Sequence, residues 1–155
     1  MVDLKISETH DYFTDKGTGK KIFYLADTVW SAFSNATIEE WEEYLDYRKS
    51  QNFNALQISI LPILHDMSES CLKILPFKLR QDGVFDYYNI NEEYFNRARM
   101  MLDMACKRGF VPALAVLWCC YVPGTRVTTE PPLSNKLLIN QTFPQYVMPC
   151  QKTCH

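Results

Sequence analysis

Two stretches, "NFNALQISIL" at 52–61 and "GFVPALAVLW" at 109–118, are laid out alike and constrain the fold more than any other feature. Each begins with a helix-ending residue, Asn52 or Gly109. A phenylalanine follows, then Ala-Leu, then an apolar run. Each also comes directly after a segment with helical periodicity. Before the first, Thr37 and Glu40 have the spacing of a capping box, and Ile38, Trp41, Tyr44, Leu45 and Arg48 recur on one face. Before the second, Asn91 is placed to cap a helix whose buried stripe is Tyr94, Phe95, Ala98, Leu102 and Ala105, with Met100, Met101 and Met104 filling around it. Helix, tight turn and buried strand thus occur twice. An earlier apolar run, Ile22 to Ala26, adds a first strand. The order β-α-β-α-β with short returns predicts a parallel α/β architecture with right-handed crossovers. The strands are expected at Ile22–Ala26, Ala55–Leu61 and Ala113–Leu117.

Around this frame, residues 1–19 predict an N-terminal β-hairpin. Leu4 and Ile6 alternate with polar neighbours, and "DKGTGK" supplies the turn. Residues 20–125 carry the βα units. From Leu64 to Ile90 no regular period is visible, and an excursion of that length inside a compact domain is commonly functional. Residues 126–155 have no helical pattern and read as an irregular tail.

A chain of 155 residues with 47% hydrophobic content can build one core. Its net charge of −2 and lack of a basic stripe argue against a nucleic-acid partner. No run is long and apolar enough for a membrane span. The polar start "MVDLKISETHDY" has neither the basic nor the apolar region of an export signal, so a reducing, cytoplasmic setting is expected. The six cysteines then read as thiols. The spacing in "CQKTCH" fits no standard zinc pattern, so no metal is expected. No nucleotide-binding glycine motif is present, and no cofactor is expected.

Parallel α/β folds bind ligands at the carboxyl ends of their strands. Here those ends carry "ADTVW", "ILPILHD" and "LWCCYVPG". The candidate binding residues are therefore Asp27, Trp30, Gln57, His65, Trp118 and Tyr121. An indole offers a flat face to a sugar ring, a carboxylate or amide can hydrogen-bond its hydroxyls, and an inward Gln57 in a barrel strand can reach a polar site. Each residue also has a plainer role: Asp27 as a turn cap, the tryptophans as core, His65 as an ordinary loop histidine.

The segments "GKKIFYLADTVWSAF", "NFNALQ", "PFKLRQDGVFDYYNINEEYFNRARMMLDMACKRGFVPALAVLW" and "YVPGT" together resemble the apiosidase-like family of glycoside hydrolases, over roughly residues 10–125. The shared elements are Asp-Thr-x-Trp at Asp27–Trp30, "FN-x-x-Q" at Phe53–Gln57, an Asn-Glu-x-Tyr-Phe helix start at Asn91–Phe95 and a strand ending in Trp118. "YVMP" at Tyr146–Pro149 is also similar, whereas "CQKTCH" departs from the family. The resemblance implies a partial (β/α)8 TIM barrel, its first three βα units, acting on plant-type or other complex glycans through two carboxyl groups. Those acids are implied at the ends of strands 4 and 7, so no catalytic residue is expected here, and the isolated chain is expected to be inactive. A full barrel needs about 250 residues, so the chain reads as an N-terminal fragment. Its expected partners are a carbohydrate and, through unpaired sheet edges, further copies of itself. The alternative is a small α/β binding or interaction module without catalysis.

Overall fold

A computed structural model describes residues 3–62, 72–81 and 85–117. The tail at 126–155, the "CQKTCH" segment, and His65, Trp118 and Tyr121 lie outside the described residues. The first three strands, β1 (Leu4–Ile6), β2 (Phe13–Asp15) and β3 (Lys21–Ile22), form an antiparallel sheet in that order. Next come β4 (Ala26–Val29), a short helix α1 (Ala32–Asn35), the long helix α2 (Ile38–Ser50) and β5 (Ala55–Ser59). An antiparallel pair, β6 (Phe77–Leu79) and β7 (Phe85–Ile90), precedes helix α3 (Glu92–Lys107) and strand β8 (Val111–Ala115). Strands β4, β5 and β8 form a parallel sheet with β5 in the centre.

The run expected to be one strand, Ile22–Ala26, is instead divided. Ile22 belongs to the antiparallel sheet, opposite Phe13, and the parallel strand starts at Ala26. The cause is Asn54, just before β5. Its Oδ1 accepts from the Leu25 N–H (2.9 Å), and its Nδ2 donates to the Phe23 carbonyl (2.6 Å). One side-chain amide thereby takes the place a neighbouring strand would occupy beside Tyr24. The Asn54 backbone N–H adds a bond to the Leu25 carbonyl (3.0 Å). The chain can then leave one sheet and enter the other with these polar groups satisfied.

Both helices return to the sheet by the same device. Asn52 and Gly109 have φ of 66° and 83°, the left-handed conformation that Gly and Asn adopt most readily. In each turn the following phenylalanine donates backward across the helix end, Phe53 to the Arg48 carbonyl and Phe110 to the Ala105 carbonyl (both 3.1 Å). Asn52 and Gly109 add bonds to the carbonyls of Lys49 and Cys106 (3.0 and 2.9 Å), completing two Schellman motifs. The likeness between the two segments ends there. Ala55 pairs with Val111 and Gln57 with Ala113, so the two Ala-Leu pairs occupy different levels of the sheet. Strand β8 therefore begins before its proline. Because Val111 N–H bonds toward β5 (to the Asn54 carbonyl, 2.8 Å), the next residue, Pro112, turns its nitrogen toward the other edge, where no donor is needed.

The capping box of α2 forms as its sequence predicts: Thr37 accepts from the Glu40 N–H, and the Glu40 carboxylate accepts from the Thr37 N–H. Asn91 precedes α3 without a side-chain cap. Its amide instead donates to the Leu75 carbonyl (2.9 Å), tying the excursion back to the helix start. Leu56 and Ile58 of β5 are fully buried under Trp41 and Leu45 of α2 and Tyr94, Ala98, Met101 and Leu102 of α3. Burying each large apolar side chain contributes about 1.5–3 kcal/mol. Met101, read from sequence as filler, is at the centre of this core. Its carbonyl accepts the Trp41 indole N–H (2.9 Å), so the largest buried side chain leaves no unpaired donor.

Replacing Asn54 by Ala strands the half-buried Leu25 N–H, which should cost about 1–2 kcal/mol in urea unfolding. Faster hydrogen exchange at Leu25 should accompany it. Asn54→Asp keeps the acceptor for Leu25 and should be milder.

Candidate functional site

The helix core identifies the two faces of the parallel sheet. Leu56 and Ile58 of β5 lie in it, and Val29 and Leu114 pack against it. Side chains alternate along a strand, so Ala55, Gln57 and Ser59, with Val111, Ala113 and Ala115, are on the opposite face. On β4 that face carries Ala26 and Thr28, both exposed. Thr28, Gln57 and Ala113 lie at one level of the sheet. Among the described residues, the Gln57 amide makes no hydrogen bond.

Of the sequence-derived candidates, Gln57 is on this inner face. Trp30 directly follows β4 at its carboxyl end, partly buried. Asp27 is on the other face, within β4 and paired with Leu56. Its Oδ2 accepts from the Tyr44 hydroxyl (2.7 Å) and sits 2.5 Å from Arg48 Nε. The Arg48 guanidinium lies over the rings of Tyr44, Tyr47 and Phe53 at 5.3–5.6 Å. Burial, reinforced by the Asp27 carboxylate, pushes the Tyr44 phenol well above its ordinary range. The carboxylate thus fastens β4 to the last turns of α2.

The β6–β7 pair supplies what the sequence pattern concealed. Phe77 and Tyr87 form a second buried cluster with Leu61, against which Ile60, Phe85, Ile90 and Leu117 pack. Leu61 and Leu117 come directly after the carboxyl ends of β5 and β8, so the pair forms a roof at that end of the sheet. The roof is held on by Tyr94, whose hydroxyl donates to the Ile60 carbonyl (2.6 Å), and by Asn91, whose N–H donates to the Pro76 carbonyl (2.8 Å). Two hydroxyls in this region, Ser59 Oγ and Tyr87 OH, are buried without a hydrogen-bond partner among the described residues. Burial pushes the Tyr87 phenol up to about 12. An unpaired buried polar group costs about 1–3 kcal/mol. Neither residue stands out in the sequence: Ser59 is one serine in an apolar run, and Tyr87 is one aromatic among many. Among the described residues, no three His, Cys, Asp or Glu side chains come together as metal ligands.

The model of the apiosidase-like catalytic domain matches residues 7–147 of the sequence. The chain belongs to the apiosidase-like family. No curated protein matches it. Among solved structures, this apiosidase-like chain is similar to a glycoside hydrolase, with a TM-score of 0.56 at 20% identity over 76% of this chain and 26% of the other. It is also similar to a family 5 glycoside hydrolase from Bacteroides vulgatus, with a TM-score of 0.52 at 19% identity over 74% and 24% of the two chains. At these identities the likeness is one of fold. The chain spans about a quarter of the length of these structures.

Two outcomes follow from the site's electrostatics. Asp27→Asn leaves Arg48 without its counter-ion in a half-buried setting. It should lower stability by about 1–3 kcal/mol in urea unfolding, with an unchanged slope. The second concerns alkaline pH. The unfolded Tyr87 phenol titrates near 10.0 and the folded one near 12, so its stabilising share is intact below pH 10 and lost as pH rises toward 12. Tyr87→Phe should therefore resist alkaline unfolding better than the unaltered chain, as read by circular dichroism between pH 9 and 12.

Proposed function

We propose that this chain forms the opening βα units of a (β/α)8 glycoside hydrolase acting on plant-type or other complex glycans. In this reading it is the N-terminal part of the barrel, contributing sugar-binding residues but not the catalytic acid pair. The observation that carries the reading is the asymmetry of the β4–β5–β8 sheet. Two helices cover one face. Among the described residues the other bears Ala, Val, Thr, Gln and Ser, is exposed at β4, and carries the β6–β7 roof at its carboxyl end. Such a face suits the inside of a barrel whose remaining strands follow, with its pocket at the carboxyl end.

Roles follow from position. Gln57, beside Thr28, offers an amide donor and acceptor to sugar hydroxyls. Trp30 forms a wall. His65, Trp118 and Tyr121 follow the ends of β5 and β8 in sequence and are assigned to the same pocket on that ground alone. Asp27 is a positioning residue: held by Arg48 and Tyr44 on the helix side, it fixes the strand that presents Thr28 and Trp30. The reacting acids, about 5–9.5 Å apart in enzymes of this kind, belong to strands 4 and 7. Asp86, on the roof, is occupied by a bond from the Tyr88 N–H (3.1 Å). Neither a nucleic acid, a membrane nor a cofactor enters this reading. The cysteines, read as thiols, suit the reducing, cytoplasmic setting of this reading.

A small binding module without catalysis is the second reading, favoured by the completeness of the helix-side core. The two differ in the state of the open sheet. An unclosed barrel has strand edges with unpaired backbone groups and should self-associate, whereas a finished module should scatter light as a clean monomer at high concentration.

The activity test is release of reducing sugar from aryl glycosides and pectic oligosaccharides. The 155-residue chain should release none above the blank. Turnover that Asp27→Asn abolishes, with folding intact, would overturn the assignment of the acids to later strands.

A further inference from the structure

Helix α1 is four residues long, begins two residues after Trp30, and is held from outside at its carboxyl end. A helix leaves its last four carbonyls without internal partners. Here these are the carbonyls of Phe33, Ser34, Asn35 and Ala36, and each accepts a hydrogen bond from another part of the chain. Arg97 of α3, partly buried, takes two of them: its Nε donates to the Phe33 carbonyl (3.4 Å) and its Nη2 to the Ala36 carbonyl. The segment leading to the roof takes the other two. The Ile74 N–H donates to the Ser34 carbonyl (3.0 Å) and the Leu72 N–H to the Asn35 carbonyl (3.1 Å). Ser34, which has no exposed surface, returns a bond from its Oγ to the Ile74 carbonyl (2.8 Å). Between these contacts Lys73 has a φ of 53°, the left-handed region that residues other than Gly and Asn seldom adopt. Such a conformation persists where the surroundings fix it. At the other end of α1, the Ser34 and Asn35 N–H groups both donate to the Ser31 carbonyl (3.1 and 3.0 Å), so the residue next to Trp30 is bound into the helix. The 72–76 run is pinned in turn to the start of α3 through Asn91 and leads directly into Phe77 of the roof.

We propose that Arg97 is a positioning residue of the carbohydrate pocket, fixing through α1 both the Trp30 wall and the segment that carries the roof. The inference rests on the carbohydrate-pocket reading and adds to it a residue that touches no sugar. Trp30 and the roof belong to successive connections at the carboxyl end of the sheet and are far apart in sequence. Helix α1 bonds to the chain on both sides, so its placement sets one relative to the other. An arginine suits this task. Its planar guanidinium presents several donors in a fixed fork, and one side chain can therefore hold two carbonyls at a set separation. The compact ammonium of a lysine, on a flexible stem, holds them less rigidly. An aromatic wall contributes to sugar binding through the angle of its face, and that angle is kept by the residues packed behind it.

The test uses the full chain and compares Arg97→Met, Arg97→Lys and Ser34→Ala with the unaltered protein. The Trp30 indole signal is followed by heteronuclear NMR and assigned with Trp30→Phe. In Arg97→Met it should shift, and the Leu72 and Ile74 amides should exchange about tenfold faster. Arg97→Lys should lie between Arg97→Met and the unaltered chain. Should Arg97→Met not fold, Arg97→Lys and Ser34→Ala carry the same comparison from the two sides of α1. Methyl glycosides of glucose, galactose, mannose, xylose and arabinose are then titrated by calorimetry. At least one should bind the unaltered chain, and Arg97→Met should weaken that binding by a factor between about two and thirty, the range for residues that act on a ligand without touching it. Asn54→Ala is the control, because it destabilises the sheet at the opposite end. It should lower stability and leave the Trp30 signal and the affinity unchanged. A merely structural arginine would behave as this control does, and that result would overturn the proposal. If none of the glycosides binds the unaltered chain, the carbohydrate reading fails and the role of Arg97 falls with it. If one binds and Arg97→Met binds it equally well, the positioning role alone is wrong.

Discussion

The structure depends on the burial of one strand. Leu56 and Ile58 of β5 have no exposed surface, and the residues covering them come from both long helices. Strand β5 also pairs with β4 on one side and β8 on the other. A strand held in this way fixes the register of its neighbours, because a slip of one residue would turn its apolar side chains away from the helices. The other polar devices protect that arrangement. Trp41 can sit in the core because the Met101 carbonyl takes its N–H. Arg108 joins the ends of the two helices through Asp46, 2.6 Å away, but both groups are partly exposed and such a pair contributes little.

Dividing the sheet into two faces is what makes a functional reading possible. Among the described residues the helix face is apolar except for Asp27, which is paired with Arg48 and Tyr44. Among the described residues the opposite face carries mostly small and polar side chains at matched levels, with the roof at its carboxyl end. Chemistry at that end would be supported by rigid elements below and an aromatic cluster above, the kind of support that holds side chains in place for recognition. Asp27 belongs to this support. Its acidic side chain faces away from the inner face, yet through Arg48 and Tyr44 it ties β4 to α2, and β4 carries Thr28 and leads directly into Trp30.

Local chemistry made much of this legible beforehand. The capping box of α2 is set by two residues three apart and formed as read. The turns at Asn52 and Gly109 follow from the ease with which these residues take positive φ, and both helices end there. The parallel order followed from two long helical patterns with short returns. Legibility failed where contacts distant in sequence decide the outcome. Nothing within Ile22–Ala26 signals its division, because the amide responsible is Asn54, about thirty positions on. The β6–β7 pair was concealed because its short strands are paired across a bulge and packed on Leu61 and Leu117, neither of which is adjacent in sequence.

The sequence by itself determined the two long helices, the capping box of α2, the parallel order of the strands and the family, all of which rest on neighbouring residues or on motifs in order. Only the tertiary structure decided which way each strand residue faces. Strand alternation has a period of two, so moving the start of β4 a few residues along the chain reassigns every side chain on it. That shift turns Asp27 from a residue at a strand's mouth into the tie between β4 and α2. The same dependence on distant contacts left Ser59 and Tyr87 unremarked in the sequence, since whether a hydroxyl has a partner is a property of everything packed around it.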